Sequence, residues 1–429
     1  MSGIYSPLRS PNVGQVVEEL QPIYRQVVFG TASVDQPRQY GATFLFLLDP
    51  VYRRTIDRPA VLAAYCYVLD IVAIAVAFWA VVTSLKLWLA ERGRHLSGTL
   101  LLWLVLMWAN FGPMYGVLAI KNVELWEVAF AAVACLSLMR GRRWTAAWCL
   151  AAASLTKMLP LVYLPYLLFR DRRTFAYAVV ALCAILSAAE LTYGRDMGWA
   201  YLPHMVRAGG SASGYGNALG FTWHENVSFP GLTSKAFGRL EKPDPDPSLS
   251  PYPRGYYVLP LPGWQRTATA LGMMVQVVGL GWVAWMLRRR DGWSQASQTL
   301  WDFAFIGAMM LVLAPQASHD YMVLTLAAFS FSLTACASLR ARHIWTSFVL
   351  ALLLVANIAP RGLFSRALLI DPLMRFTGYT HLTRAEAYQY FGLPLLGLLF
   401  LVQTLVRIRD LDGRPSDVAR ADPGPPAIA

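Results

Sequence analysis

The sequence predicts an all-α integral membrane protein that crosses the bilayer many times. Of its 429 residues, 56% are hydrophobic and 14% are charged, and the mean hydropathy is +0.42. Soluble domains usually carry about a quarter charged residues, so this composition favours a membrane protein. Long apolar runs recur along the chain and are separated by short loops that contain most of the arginines.

The formal net charge of +12 raises the question of a nucleic-acid partner. The arginines, however, lie mainly in short loops between apolar runs, where they orient helices in a membrane. We therefore expect membrane lipids and no nucleic acid as partners. The five cysteines all lie inside apolar runs without metal-ligand spacing, so we expect neither a metal site nor a disulfide framework.

One segment, residues 144–169, sets the predicted topology. It is long enough to be a single transmembrane helix, but Lys157 lies at its middle and Pro160 follows. A lysine at the bilayer centre costs about 3 kcal/mol. Arginine clusters flank both ends of the segment, which conflicts with the collection of positive charge on the cytoplasmic side. A hairpin removes both conflicts, because Lys157 then lies at the tip and both clusters stay inside.

The other elements follow from this hairpin in chain order. Residues 1–58 lack a signal peptide and a run long enough to span, and 59–192 contain transmembrane helices and the hairpin. Residues 193–265, rich in Gly, Pro, Tyr and Trp, form an extracytoplasmic loop region. Residues 266–409 return to transmembrane helices, and 410–429 form a disordered cytoplasmic tail. The predicted spans are 60–88, 96–111, 123–139, the hairpin, 174–192, 267–287, 300–314, 321–339, 344–358 and 388–406.

This map has about eleven crossings and places every arginine-rich loop inside. It also places residues 1–58 outside, although nothing ahead of them would translocate them. Either this segment crosses after the first helix inserts, or a further helix precedes Met1. We expect the second, because an even number of crossings then leaves both termini inside.

Polar residues then collect at the outer membrane surface in two groups, one after Trp223 and one after Ala314. His319 is interpreted either as an interfacial side chain or as a group that binds a carboxylate or a phosphate. Asp320 is equally suited to cap a helix. Lys157 would snorkel to the interface or neutralise a lipid phosphate. Asn226 begins a sequence that matches a glycosylation sequon.

Several runs resemble segments of glycosyltransferase family 87. Residues 110–115, 121–125 and 154–160 (SLTKMLP) are similar to that family's Gly-Gln-Val-Asn and Lys-x-x-Pro segments. Residues 226–232 (NVSFPGL) resemble its Asn-Gln-Ser-Leu stretch, and 314–320 (APQASHD) resemble its Ser-Pro-x-x-Trp-x-His segment. The likeness extends over roughly residues 95–340.

The resemblance implies a polytopic helix bundle of the GT-C fold in a bacterial-type plasma membrane. Such enzymes take a sugar from a polyprenyl-phosphate carrier at the outer face and attach it to a lipid or glycan acceptor. We expect a hexosyltransferase, with mannose the first expectation and a pentose such as arabinofuranose the next, and no cofactor. The rival interpretation is a lipid or glycan transporter, but the sequence shows only one broken helix and no repeat of it.

The resemblance also implies roles for individual residues. Lys157 and Lys121 would contact the donor phosphate, and His319 would assist the acceptor or the catalytic carboxylate. The family's catalytic Asp is matched most nearly by Glu18 and Glu19, with Glu in place of Asp and a shifted spacing. This departure leaves open an inactive member of the family. The expected substrate-binding residues are His224, Glu225, Asn226, Asn122 and Asp320.

Overall fold

The computed structural model describes most of the chain. The residues described are 41–55, 58–120, 123–193, 198–200, 202–203, 222–223, 226–241, 257–289, 292–315, 317–339, 342–356, 370–379 and 382–412. Six candidate site residues lie outside them: Glu18, Glu19, Lys121, Asn122, His224 and Glu225.

The described residues form sixteen α-helices and one three-stranded sheet. The first eight helices are α1 (Ala42–Thr55), α2 (Pro59–Ala90), α3 (Gly98–Ala109), α4 (Gly112–Ile120), α5 (Glu124–Met139), α6 (Arg143–Ser154), α7 (Tyr163–Arg170) and α8 (Arg172–Tyr193). The second eight are α9 (Phe229–Ala236), α10 (Gln265–Arg288), α11 (Gln295–Leu313), α12 (Leu326–Leu339), α13 (Arg342–Ala356), α14 (Asp371–Thr377), α15 (Arg384–Tyr390) and α16 (Leu393–Asp412).

The prediction of an all-α, multi-pass membrane protein is confirmed. By length and apolar composition, five helical segments in the described chain are able to cross a membrane, and a sixth if α3 and α4, which meet at 49°, form one broken span. The predicted count of about eleven crossings is therefore not confirmed. Several predicted spans are short helices, such as α6 with 12 residues and α13 with 15. The five segments are Ala60–Ala90, Arg172–Tyr193, Gln265–Arg288, Gln295–Leu313 and His319–Leu339.

The segment predicted as a hairpin does run out and back. Helix α6 ends at Ser154, a 3₁₀ turn begins at Leu159, and α7 returns toward the starting level. Pro160 lies in the first turn of the returning segment, where a backbone N–H would have no acceptor within the helix, so its lack of an N–H costs no hydrogen bond. The two ends of the segment meet, since Arg143 Nε donates to Asp171 Oδ2 at 2.7 Å. Burial raises the pKa of Asp171, but hydrogen bonds from Arg143 and Thr174 outweigh it and lower the pKa below its usual range.

The arginine-rich loops lie together at one end of the bundle, where they pair with acidic residues and helix C-termini. Arg92 Nε donates to Asp412 Oδ1 at 3.1 Å, which joins the α2–α3 loop to the end of α16. Arg409 Nη1 donates to the Met286 carbonyl at 2.7 Å. We call this end the arginine face. Its ion pairs are Arg92–Asp412, Arg143–Asp171, Arg170–Asp302 and Arg289–Asp410.

The opposite end of the bundle carries the hairpin tip, residues 155–158. The chain just before α1 is fastened to this tip by two backbone hydrogen bonds. Gly41 N donates to the Thr156 carbonyl at 3.0 Å, and Thr43 N donates to the Leu155 carbonyl at 3.1 Å. These carbonyls belong to the end of α6, where backbone acceptors lack intrahelical partners. The start of α1 therefore completes the tip.

A small antiparallel sheet is the exception to the all-α prediction. It lies within the region predicted as a loop, and its strand order is β1 (Thr222–Trp223), β3 (Tyr257–Pro260), β2 (Gly238–Glu241). Leu240 pairs with Val258, which is fully buried. Helix α9 packs against this sheet and against α10. The sheet therefore anchors part of the predicted loop region to the helix bundle.

The helices differ sharply in how much lipid they face. Only 11% of the span of α10 is buried in the protein, whereas 89% of the span of α11 is buried. Helix α11 is thus the centre of the bundle, with α5, α12 and α16 around it.

Helices α13 and α16 approach closely because Gly397 has no side chain. A Cβ there would lie 2.7 Å from Val355 Cγ2 and 3.1 Å from the Val355 backbone nitrogen.

We predict that Gly397→Ala destabilises the protein by roughly 1–3 kcal/mol, because the rigid backbone of α13 cannot move away. Thermal unfolding in detergent measures this loss. Gly281→Ala on α10 is the matched control, since no atom lies within 4 Å of the added Cβ. Equal midpoints for the two variants would contradict the packing of α13 on α16.

Candidate functional site

Lys157 lies inside a polar cluster at the hairpin tip. Its side chain is 6% exposed, and its Nζ donates to Glu124 Oε1 at 2.5 Å and to the Tyr321 hydroxyl at 3.2 Å. The ammonium also lies 4.6 Å from the centroid of the Tyr321 ring. Lys157 therefore does not snorkel to the interface, which was one of its two predicted roles. It is a buried cation with a carboxylate partner.

The carboxylates of this cluster come from the first turn of α5. Glu124 and Glu127 are three residues apart, so they lie on one face of the helix, and both are fully buried. The positive end of the α5 dipole favours acidic residues at this position. Neither carboxylate oxygen of Glu127 accepts a hydrogen bond in the part of the chain that the structure describes, although the Lys157 ammonium and backbone amide lie nearby. Two buried carboxylates and one buried ammonium thus lie together at the tip.

The first turn of α5 is also tied to α2. Trp126 Nε1 donates to Asp70 Oδ1 at 3.1 Å, and Asp70 is only 1% exposed. This contact gives the buried carboxylate of Asp70 a partner on α5. It holds the start of α5 against α2 and so fixes the position of Glu124 and Glu127.

The two polar groups predicted at the outer surface are joined by Asn226. Its Nδ2 donates to the Pro315 carbonyl at 3.0 Å, and its Oδ1 accepts from Ala317 N at 3.1 Å and from Ser228. Val227 N donates to the Ala317 carbonyl at 2.7 Å. Asn226 is 3% exposed and its amide is engaged with the protein, so this sequon does not present an accessible acceptor. The side chain fastens the segment after β1 to the segment after α11.

The 3₁₀ turn His319–Thr325 follows this junction, and its first three side chains reach three different neighbours. The His319 ring donates to the Val355 carbonyl and meets the Tyr388 ring edge-on at a centroid distance of 5.7 Å. Asp320 packs against Gly116 of α4, where a side chain would collide with the carboxylate. Tyr321 reaches Lys157. The turn therefore connects the tip cluster to α4 and α13.

His319 retains one unused polar atom. Its Nε2 is buried and makes no hydrogen bond with any of the described residues. A buried acceptor or donor without a partner costs about 1–3 kcal/mol, so such atoms are rare away from functional sites. Lys121 and Asn122 immediately precede α5 in the chain and lie outside the described residues.

A comparison with protein families identifies the chain. The model of Glycosyltransferase family 87 matches residues 40–315, which is more than half of the sequence. The chain belongs to glycosyltransferase family 87. The resemblance noted in the sequence is thereby confirmed, and the protein is a membrane glycosyltransferase. No curated protein matches the chain.

The family match covers some candidate residues of this glycosyltransferase and leaves others outside its bounds. The match contains Lys157 and Asn226, and it also contains Glu124 and Glu127. It ends at residue 315, before His319 and Asp320, and it begins at residue 40, after Glu18 and Glu19. The family match therefore covers the hairpin tip and the group around Asn226, and it does not cover His319 or Asp320.

Sequence reasoning missed Glu124, Glu127 and Tyr321. Glu124 and Glu127 look like ordinary acidic residues at a helix N-terminus, which is where such residues are common. The signal available was their spacing of three in the first turn of a helix that is otherwise apolar. Tyr321 gave no signal, because tyrosines at a membrane interface are frequent.

We predict that Lys157→Met destabilises the folded protein by about 3–5 kcal/mol, because it leaves Glu124 buried and unpaired. Unfolding in detergent measures the loss, and Lys86→Met on the exposed side of α2 is the matched control. The double variant Glu124→Gln/Lys157→Met should cost less than the sum of the single variants. Additive costs, or a Lys157→Met effect no larger than that of Lys86→Met, would contradict the ion pair.

Proposed function

We propose that this glycosyltransferase moves a hexose or pentose, with mannose expected first, from a polyprenyl-phosphate-linked donor to a lipid or glycan acceptor. The observation that carries the proposal is the buried Lys157–Glu124 pair at the hairpin tip, inside the region matched by the family. A buried ion pair costs desolvation free energy and is weak evidence for stability alone. A charge held inside a membrane bundle is instead a common mark of a functional site.

The proposed site lies on the extracytoplasmic side of a plasma membrane. The support is the arginine face, where the loops of α2–α3, α5–α6 and α7–α8 and the end of α16 meet. Positive loops collect on the cytoplasmic side. The hairpin tip is at the other end of α6, so the Lys157 cluster faces outward. The proposed topology keeps about eleven crossings, in which some short helices cross together with a neighbour as one broken span, as α3 and α4 can.

The proposed reaction is a direct displacement at the anomeric carbon. The acceptor hydroxyl oxygen forms a bond to that carbon as the bond from the carbon to the phosphate oxygen breaks, and the polyprenyl phosphate leaves with the electron pair. A carboxylate takes the hydroxyl proton, which is typically worth 10²–10⁴-fold in rate. Phosphate needs no general acid to leave. Positioning and cationic stabilisation of the phosphate supply the remainder.

Lys157 is proposed to contact the leaving phosphate, together with Lys121. Glu124 pairs with the Lys157 ammonium, and Tyr321 orients it through the 3.2 Å contact. A cation that is fixed before substrate arrives stabilises developing negative charge without reorganising during the reaction. The acceptor side is proposed to use His319 and Asp320, with His224, Glu225, Asn226 and Asn122 contributing to substrate binding.

The general base is proposed from the family resemblance as Glu19 or Glu18. The structure adds a rival, since Glu127 is a buried carboxylate at the tip with no hydrogen bond from the described residues. The conservative change Glu→Gln separates the two, because it removes the base and keeps the size of the side chain. Loss of transfer in Glu127→Gln with turnover retained in Glu19→Gln and Glu18→Gln would assign the base to Glu127.

We predict that Lys157→Ala and His319→Ala each lower transfer by at least about 10²-fold. Membranes containing each variant are supplied with labelled polyprenyl-phosphate-mannose and total lipid extract, and label entering the acceptor fraction is counted. His95→Ala, on the exposed part of the arginine face, is the control and should keep full activity. Tyr321→Phe removes the hydroxyl contact to Lys157 and keeps the charge of the lysine. It should lower the turnover number and change the Michaelis constant little.

Unchanged turnover in either Lys157→Ala or His319→Ala would remove that residue from the proposed mechanism. Absence of transfer by the folded wild-type protein from both mannose and arabinofuranose donors would instead favour an inactive member of the family.

We predict that a cysteine in place of Ser213, within the predicted extracytoplasmic loop, reacts with a membrane-impermeant maleimide on intact cells. Ser97→Cys is the control, because Ser97 is exposed at the start of α3 on the arginine face. It should react only after permeabilisation. The reverse pattern would place the Lys157 cluster in the cytoplasm.

A further inference from the structure

A polar cavity of about 600 Å³ lies at the arginine face. It opens between the two ends of the hairpin and the first turns of α11. Its volume is in the range typical of small-molecule sites. Among the described residues, its charged lining is Arg143, Arg170, Asp171 and Asp302, with Gln295 and Gln298 beside them.

Both arginines of the cavity are held in place by carboxylates. Arg143 is oriented by Asp171 at 2.7 Å and keeps 43% of its side chain exposed. Arg170 lies 3.2 Å from Asp302, which is fully buried, and it also donates to the Leu287 carbonyl. A guanidinium has five N–H donors in a fixed plane, so a carboxylate that orients it leaves donors for a second anion. The arginines are thus fixed before any ligand binds.

The remaining lining also favours an anion. The first turn of α11, with Gln295 and Gln298, presents the positive end of a 19-residue helix to the cavity. Exposed arginines next to the cavity, such as Arg172 and Arg288, add to the positive potential. Among the described residues of this face, the arginines therefore outnumber the carboxylates that orient them.

The neighbours of the cavity show its depth in the membrane. Trp144 follows Arg143 and is 53% exposed, and Phe169 precedes Arg170 and is 68% exposed. Exposed aromatic side chains of this kind mark the lipid–water interface. A cavity that opens beside them is level with the headgroups of lipids and not with bulk solvent.

We infer that this cavity binds the phosphate-bearing headgroup of an anionic membrane lipid. The phosphate is bound by Arg143 and Arg170 at the N-terminal end of α11, and the acyl chains lie along the exposed surface of Trp144 and Phe169. Basic pockets between helices on the cytoplasmic side are suited to such headgroups. The 12 residues of α6 separate the cavity from the Lys157 cluster by about 18 Å. The site is thus distinct from the proposed catalytic centre and does not depend on it.

The test uses the purified full chain in neutral detergent, titrated with dioleoylphosphatidylglycerol. Thermal unfolding should show saturable stabilisation by this lipid and none by dioleoylphosphatidylcholine, whose headgroup phosphate is neutralised by choline. Inorganic phosphate and glycerol phosphate form the competing arms. Equal stabilisation by inorganic phosphate would show a site for free phosphate and overturn the lipid assignment, as would equal stabilisation by phosphatidylcholine.

Variants separate the cavity from the general charge of the face. Arg143→Gln should weaken phosphatidylglycerol binding roughly tenfold, the loss expected for one charge-assisted contact. Gln295→Trp keeps every charge and fills the cavity, so it should weaken binding by at least tenfold. It also tests the proposal if Arg143→Gln fails to fold. Arg172→Gln is the matched control outside the cavity lining, and it should weaken binding much less than Arg143→Gln. Binding unchanged in Gln295→Trp, or lost equally in Arg172→Gln, would overturn the proposal.

Discussion

The structure depends on the charge of Lys157. An ammonium at this position is compatible with a membrane protein only with a counter-ion within hydrogen-bond reach, and Glu124 provides it at 2.5 Å. To supply that carboxylate, α5 begins at the hairpin tip and is held there by the Trp126–Asp70 contact. To complete the cluster, the chain after α11 forms a 3₁₀ turn that brings Tyr321 to the same place. The hairpin tip, the start of α5 and the 3₁₀ turn after α11 are thus held together around one buried charge.

The arginine face solves the same physical problem at the other end of the bundle. There the cations are many, and several of them pair with a carboxylate or with helix carbonyls that have no partner within their own helix. The pairs join the first third of the chain to its last helix, as Arg92 and Asp412 do. The arginines that orient the helices in the membrane therefore also hold the helices to one another, and in the cavity they keep donors available for a ligand.

Sequence reasoning predicted the features that follow from local patterns in the chain. It missed the contacts between residues that are far apart in the sequence. The hairpin was predictable because a single transmembrane helix would place Lys157 at the bilayer centre and arginines on both sides of the membrane, and both are energetically unfavourable. The partner of Lys157 was not, because Glu124 is 33 residues away and resembles an ordinary helix start. The sheet was missed because strands of two to four residues leave too little alternation to detect. The role of Asn226 depends on its distance from Pro315 in space, which no local pattern shows.

The fastening of Gly41 and Thr43 to the hairpin tip has a consequence for kinetics. These two hydrogen bonds join positions more than a hundred residues apart in the sequence. Contacts of such long range slow folding, because a large loop has to close before they can form. We therefore expect the start of α1 to reach the hairpin tip late in folding, after the local helices.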